Sequence, residues 1–333
     1  MQDRSFKAMV VTETEENQFS RTVAERSVAD LPEGDVLVRV THSSLNFKDA
    51  LSATGNRGVT RQYPHTPGID AAGEVADSRV PAFSPGQPVI VTSYDLGMNT
   101  DGGFGQYIRV PAGWVIPMPA GLDGPTAMGY GTAGLTAALS IMKLVDGGVR
   151  PDSGDILVTG ATGGVGCMAV AVLAKLGYRV AAVTGKADAH DFLTGIGAAR
   201  ILSREEAVDD SKRPMLKSQW AGVVDTVGGE PLATAIKATT QYAVVTCCGL
   251  VASPFFKTSV FPFILRGLTL VGIESAECPM ETRLEAWHHL AGDWKIDVMP
   301  SMIREVGLTA LDPEIDRILK GGQTGRVVVR LDG

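Results

Sequence analysis

The sequence has few of the residues that build metal and disulfide scaffolds. It carries four cysteines and five histidines in 333 residues, and no cysteine precedes Cys167. Cys167, Cys247, Cys248 and Cys278 have no framework spacing. That excludes a disulfide-stapled secreted domain and suits free thiols in a reducing cytoplasm. Cationic excess is also missing: the net charge is −7, which gives a nucleic-acid partner no electrostatic support. No apolar run approaches membrane-spanning length, and Met1-Gln2-Asp3-Arg4-Ser5-Phe6-Lys7 does not read as a secretory signal. These absences point to a cytoplasmic globular protein, long enough for two domains.

What is plentiful is glycine, 39 residues, and its placement carries the chemistry. Ile156-Leu157-Val158-Thr159-Gly160-Ala161-Thr162-Gly163-Gly164-Val165-Gly166 is a short apolar run that feeds a glycine-rich turn. A small-residue helix from Cys167 to Gly177 follows. Strand, glycine-rich turn and helix form the phosphate-holding half of a Rossmann domain. Gly163 and Gly164 let backbone approach a pyrophosphate, Gly166 permits close packing of helix on strand, and the first-turn N–H groups attract the anion. Thr162 and Val165 complete the turn.

The next strand, Tyr178 to Val183, ends in Thr184-Gly185-Lys186. NAD-specific domains usually place an acidic residue there to bind the ribose 2′-hydroxyl. A hydroxyl, a glycine and a cation instead favour the 2′-phosphate of NADPH, with Arg200 and Arg204 as further converging cations. Each of these charges is also compatible with an ordinary solvated surface residue.

Residues 7–120 read as β-rich. Lys7 to Val11 and Asp35 to Val40 are followed by short strands at Gly73–Val75, Pro88–Val91 and Gly105–Val110, punctuated by Gly and Pro. This predicts an irregular barrel. Beyond Gly121 an apolar helix covers Thr132 to Leu144, and strands alternate with helices from Asp155: Gly222–Asp225, Tyr242–Cys248 and Leu268–Ile273. That alternation predicts a doubly wound parallel sheet. A lone terminal strand, Gly325 to Leu331, should rejoin the first domain.

The landmarks together resemble the medium-chain dehydrogenase/reductase superfamily, specifically its zinc-independent branch of acrylyl-CoA reductases and proteins labelled quinone oxidoreductases. The carrying segments are Ser44 to Leu51, Pro67-Gly68-Ile69-Asp70, Gly131 to Ala137, Ala161 to Gly166, Asp225-Thr226-Val227-Gly228-Gly229, Pro262 to Gly267 and Gly325 to Val329. The resemblance implies an α/β chain with a GroES-like β-barrel catalytic domain (1–125 and 300–333) and a Rossmann NADPH-binding domain (126–299). Zinc-dependent relatives need a Cys, a His-Glu pair and four closely spaced cysteines. Here Asn46 falls near the first ligand's position, and Pro67-Gly68-Ile69-Asp70 replaces Gly-His-Glu. His42, His65, His190 and His288-His289 are scattered, so no metal site is expected.

A metal-free site disfavours alcohol oxidation but suits reduction of an activated double bond or a quinone. A nicotinamide hydride can add to Cβ of an α,β-unsaturated thioester because the carbonyl takes up the charge. By resemblance, loop 45–51 faces the nicotinamide, with Asn46 orienting or polarising and Lys48 paired electrostatically with Asp49. Phe47 stands where relatives often carry a tyrosine, which leaves the proton donor open among water, Lys48, Tyr63, Tyr94 and Tyr130. The resemblance also implies that Thr132 and Thr136 touch nicotinamide or ribose, that Cys248, Gly249 and Leu250 lie at the ligand-binding carboxyl edge of the sheet, that Phe263, Leu265 and Glu274 line the nicotinamide end, and that Arg326 reaches the pyrophosphate. For Phe263 and Leu265, plain core packing is an equal alternative.

The strand Leu268–Ile273 is apolar and late in the sheet, and the resemblance implies that this edge pairs with its two-fold mate in a homodimer, which covers an otherwise exposed edge. The expected activity is NADPH-dependent reduction of a small unsaturated acyl-CoA, with Arg57, Arg61 and Lys48 giving some cationic character for the CoA phosphates. A quinone reductase and a non-catalytic, redox-sensing NADPH-binding protein are the alternatives.

Overall fold

The computed structural model describes residues 4–331. Packing separates two units. One comprises the chain up to Thr132, Ala276–Leu284 and the chain from Met299 onward; the other comprises Ala133–Ser275 and Glu285–Val298. The first unit starts with a hairpin of β1 (Ser5–Glu15) and β2 (Gln18–Ser27). Period-2 alternation betrayed only the middle of β1. β2 has no wholly buried residue, so it lacks the apolar face that would mark it in the sequence.

β3 (Val36–Ser44), β4 (Asp70–Ser78), β5 (Pro88–Thr92), β6 (Tyr107–Val110) and β7 (Val115–Pro117) follow. Between β3 and β4 lies the short helix α1 (Phe47–Ser52). Inward residues of these strands, Val36, Val38, Val40, Val89, Val91 and Ile108 among them, form one core with Leu45. Fully burying each such side chain stabilises the unit by about 1.5–3 kcal/mol. Helix α2 (Gly124–Asp146) is interrupted at Gly131, whose φ of 50° and ψ of −154° are not helical.

The second unit is built on a six-stranded parallel sheet. Its strands are β8 (Asp155–Val158), β9 (Val180–Val183), β10 (Arg200–Leu202), β11 (Trp220–Asp225), β12 (Thr239–Cys247) and β13 (Thr269–Gly272), in the spatial order β10-β9-β8-β11-β12-β13. The order reverses at β8, where a doubly wound sheet opens its ligand crevice at the strands' carboxyl ends. Helix α3 (Gly164–Lys175) leaves that point. It starts three residues before the predicted Cys167, because the Gly-rich turn itself supplies the first helical turn. Two central strands, β9 and β11, are buried at every position, as expected of strands covered on both faces.

The chain then returns to the first unit. β14 (Ile303–Gly307), which no sequence signal marked, pairs in parallel with β15 (Arg326–Arg330), and β15 pairs antiparallel with β3 through Val328 opposite Ser44. The resulting sheet has the order β14-β15-β3-β4-β5-β7, with β6 beside β3. This return strand carries Arg326 into the interior of the first unit, where its exposure is 2%. Among the described residues, no helix is long and apolar enough to cross a membrane.

Candidate active site

In the first unit the polar side chains converge on one carboxylate. Asp70 opens β4, is wholly buried, and accepts hydrogen bonds from three segments. Ser44 Oγ donates at 2.6 Å and Asn46 Nδ2 at 2.8 Å; the Thr132 backbone N–H lies 3.0 Å from both oxygens and Thr132 Oγ1 donates at 2.6 Å. Since Thr132 gives its hydroxyl proton to Asp70, the Ser93 hydroxyl, 2.8 Å away, donates to it in turn. Gly131 is dictated by this crowding: a Cβ there would sit 2.5 Å from Asp70 Oδ2 and 2.7 Å from Ser44 Oγ, at a positive φ that L side chains rarely adopt.

Asn46 is saturated by the same cluster. Its amide N–H groups point at Asp70 and, at 3.2 Å, at Asp49 Oδ2, while its Oδ1 accepts from Arg326 Nη1 at 3.2 Å. Asn46 is therefore a brace inside the unit, and its expected role of polarising a substrate is not one this geometry offers. Arg326 corrects a second expectation. Its guanidinium donates to Gly129 O, Leu45 O, Asn46 Oδ1 and Ser44 Oγ and is enclosed, so it holds the first unit together rather than reaching a pyrophosphate. Thr132 is likewise engaged on Asp70.

The expected Lys48–Asp49 pair does not form. Asp49 turns inward, wholly buried, and accepts from Asn46 N at 2.7 Å and Ile69 N at 2.8 Å. Burial, and secondarily the charge of Asp70, push its carboxyl up to about 7 against those stabilising N–H groups. The other side of α1 faces out: Phe47 is 38% exposed, and Lys48 makes no ion pair among the described residues. Helical spacing alone separates the two sets.

Other first-unit candidates are engaged in packing. The Tyr63 hydroxyl donates to Ser52 O at 2.7 Å, Tyr130 is fully buried, and Tyr94 stacks on Trp114 with the Arg283 guanidinium 4.2 Å from its ring centre. Arg57 is paired with Glu13 at 2.5 Å, which removes it as a source of free positive charge. Among the described residues no three His, Cys, Asp or Glu side chains are grouped to hold a metal ion.

In the second unit the Gly-rich turn lies between β8 and α3. Gly163 caps α3 in an extended conformation, so the N–H groups of the first turn have no intrahelical acceptor and can receive an anion. A Cβ on Gly166 would lie 2.3 Å from Gly160 O, which confirms the close packing expected there. Thr162 is 6% exposed at this turn. A dinucleotide phosphate fits this cradle: bare backbone donors at a helix start, with no carboxylate side chain among residues 159–166.

Beside it, at the carboxyl end of β9, Thr184 N donates to Leu202 O, Lys186 N donates to Thr184 Oγ1, and the Arg204 guanidinium lies against Gly185, whose Cβ position is 2.5 Å from Arg204 Nε. Burial, eased by Asp188 and reinforced by Arg204, holds the Lys186 amine below the usual lysine range. Lys186 and Arg204 thus lie close enough to act on each other electrostatically, with Asp188 as a counter-charge beside Lys186. Arg200 does not join them. It pairs with Ala181, three positions before Thr184, and its guanidinium lies over Trp220, so it points to the amino edge of the sheet.

The remaining assignments fall at the sheet's carboxyl edge or on its flank. Thr136 Oγ1 donates to Ser275 Oγ at 2.8 Å, next to exposed Glu274. Cys248 donates its N–H to Asp225 O, and Gly249 is pressed on Thr226. Phe263, in helix α4 (Phe261–Arg266), packs against the core of this unit, whereas Leu250 and Leu265 are about 60% exposed. Sequence reasoning missed Asp70 as the organising group. The available signal was a carboxylate opening the small-residue run Ala71-Ala72-Gly73 at the start of a strand, where only full hydrogen-bonding makes burial tolerable.

Comparison with known proteins agrees with this architecture. The family described as Alcohol dehydrogenase GroES-like domain matches residues 32–120, and that described as Zinc-binding dehydrogenase matches residues 164–291. The chain is 44% identical to the acrylyl-CoA reductase AcuI of Ruegeria pomeroyi over 97% of this chain and 98% of that protein. It is 43% identical to YhfP of Bacillus subtilis, which bears a quinone oxidoreductase label, over 92% of this chain and 93% of that protein. The YhdH oxidoreductase of Salmonella enterica, crystallised with NADP, superposes with a TM-score of 0.95 at 41% identity over 98% of this chain and all 100% of that one.

The buried acid gives a stability prediction. Asp49 is protonated more readily folded than unfolded, its pKa moving from 3.8 to about 7. Its contribution is complete at acid pH and is lost as pH rises through that window. The free energy of urea unfolding should therefore fall from pH 5 to pH 8 more steeply in the wild type than in Asp49→Asn. That holds even though the variant is less stable overall, because an amide N–H would face the donors of Asn46 or Ile69. Parallel slopes would contradict the placement of Asp49.

Proposed function

The chain belongs to the medium-chain dehydrogenase/reductase superfamily, and from that premise we propose that it reduces the C=C bond of a small α,β-unsaturated acyl-CoA, acrylyl-CoA to propionyl-CoA, without zinc. It is an NADPH-dependent oxidoreductase. One relative was crystallised with NADP and another, YhfP, with NAD, so this chain's own residues after β9 bear on the choice. The observation that carries the reading is the Thr184-Gly185-Lys186 turn with Arg204 against it and no carboxylate among residues 184–186, a site suited to a 2′-phosphate.

The acyl-CoA assignment is supported by 44% identity to an acrylyl-CoA reductase along nearly the whole chain. When bound, the reduced nicotinamide supplies a hydride to Cβ, and the thioester carbonyl takes up the charge. Absence of zinc is supported by the donor set: Asn46 and Asp70 stand where ligands would be needed, and both are bonded to each other and to neighbouring side chains. With Asn46 and Asp49 turned inward, Lys48 is the loop residue able to donate a hydrogen bond to the developing oxyanion, and a proton delivered to Cα from Lys48 or water then completes the saturated thioester. The quinone reading is the alternative, favoured by the label of YhfP at nearly equal identity.

We also propose a homodimer. β13 is an outer strand of the second unit's sheet, and nearby Val260, Ile264 and Leu265 are 66%, 67% and 59% exposed. A second copy would cover this apolar flank and the open edge.

Three measurements check these proposals. NADPH oxidation should be faster with acrylyl-CoA than with 1,4-benzoquinone, and Lys48→Met should lower kcat about 100-fold with the thioester. Turnover of quinone alone would establish the alternative, and turnover of neither would indicate a non-catalytic nucleotide-binding protein. Combined Lys186→Ala and Arg204→Ala should weaken NADPH about 100-fold and NADH less than about threefold; equal losses would refute the 2′-phosphate site. Sedimentation equilibrium should give twice the chain mass, and a monomer at micromolar concentration would refute the dimer.

A further inference from the structure

One charged side chain of the second unit is wholly buried and has no part in the reaction described so far. Asp225 ends β11 with 0% exposure. Each of its oxygens meets a donor from a different loop: Oδ1 accepts from Thr159 Oγ1 at 2.7 Å, and Oδ2 accepts from Gly228 N at 2.8 Å. Thr159 is the residue that follows β8, immediately before the Gly-rich turn.

Its hydroxyl has a single proton, which goes to the carboxylate. The oxygen is then free to accept from Thr226 N at 3.0 Å, and Thr226 returns its own hydroxyl to Thr159 O at 2.8 Å. The loop after β12 is tied to the same point: Cys248 N donates to Asp225 O at 3.0 Å and Ala252 N to Val227 O at 2.9 Å. Gly249 approaches so closely that a Cβ would lie 1.8 Å from Thr226 O.

Two loops at the carboxyl edge are thus fastened to one carboxylate and a third to the backbone carbonyl of the same residue, and the first of them leads into the phosphate cradle. A buried carboxylate is costly unless its oxygens are bonded, and burial pushes this one above the usual range. Two outward-directed donors from separate loops call for two acceptor oxygens, which an amide lacks.

We infer that Asp225 is a positioning residue for the dinucleotide, acting through Thr159 to hold the turn at residues 160–166 in the conformation that offers its backbone N–H groups to the pyrophosphate. It does not touch the cofactor. The inference rests on the reading of that turn as the dinucleotide site. The pyrophosphate is common to both nucleotides, so a fault in the turn weakens NADPH and NADH alike and leaves their ratio alone.

Fluorescence titration of the full chain with NADPH and with NADH tests this without any acceptor. Asp225→Asn and Thr159→Val should each raise both dissociation constants about tenfold or more. Thr159→Ser, which keeps the hydroxyl, should stay within about threefold of wild type, and kcat at saturating NADPH should change less than about twofold for whichever acceptor the wild type reduces. Thr159→Val removes no charge and carries the test if Asp225→Asn fails to fold. Unchanged dissociation constants in a folded variant would overturn the inference. So would a loss as large in Thr159→Ser as in Thr159→Val, or a shift in the NADPH:NADH ratio. A wild-type chain that binds neither nucleotide would overturn the dinucleotide reading itself, and this inference with it.

Discussion

A carboxylate with no access to water governs the first unit. Asp70 is buried among donors from β3, the loop after it and the broken helix α2, and its charge is tolerated because each oxygen is saturated. Three features follow from it. Gly131 is a glycine because the carboxylate leaves no room for a Cβ. Asp49, pushed toward neutrality first by its own burial, is pushed further by the negative charge of Asp70 nearby. Arg326 is carried inward on the last strand, where it reaches Ser44 and Asn46, both of which also bond Asp70. Removing any one partner leaves a buried polar group unpaired, so the cluster stands or falls as a whole.

The second unit repeats the device at Asp225, but at the end of a strand instead of the start. In each unit a buried carboxylate bonds backbone N–H and hydroxyl groups from separate segments and fixes loops that would otherwise be free. This leaves the exposed chemistry to few groups. On α1 it is Lys48 and Phe47; at the sheet edge of the second unit it is bare backbone N–H groups, Lys186 and Arg204. That division suits an enzyme whose bound dinucleotide carries the reactive centre while the protein supplies positioning and charge.

The fold was largely legible in the sequence. Strand, glycine-rich turn and helix at 156–175 are set by local patterning, and the positions of β8, α3 and β11 follow from apolar runs bounded by glycine. β2 and β14 escaped because their residues are half-exposed and present no clean alternation; pairing with a neighbour, rather than their own pattern, makes them strands. The candidate site was legible only in part. Lys186 and Arg204 follow the carboxyl ends of the neighbouring parallel strands β9 and β10, which places Arg204 against Gly185. Arg200, four residues before Arg204 at the start of β10, points to the other edge. Asn46 and Arg326 were placed among reactive groups by the family resemblance, which carries over positions but not the direction of a side chain; which way each one turns depends on Asp70, distant in sequence. A carboxylate's hydrogen-bond partners are set by tertiary structure and leave no periodic trace.

A crystal structure of the chain with NADP bound tests the cofactor assignment most directly. The expected result has the pyrophosphate over residues 162–166 and the adenosine 2′-phosphate within hydrogen-bond reach of Lys186 and Arg204. A nucleotide whose 2′-phosphate contacts neither cation, or whose pyrophosphate lies away from the Gly-rich turn, would contradict it.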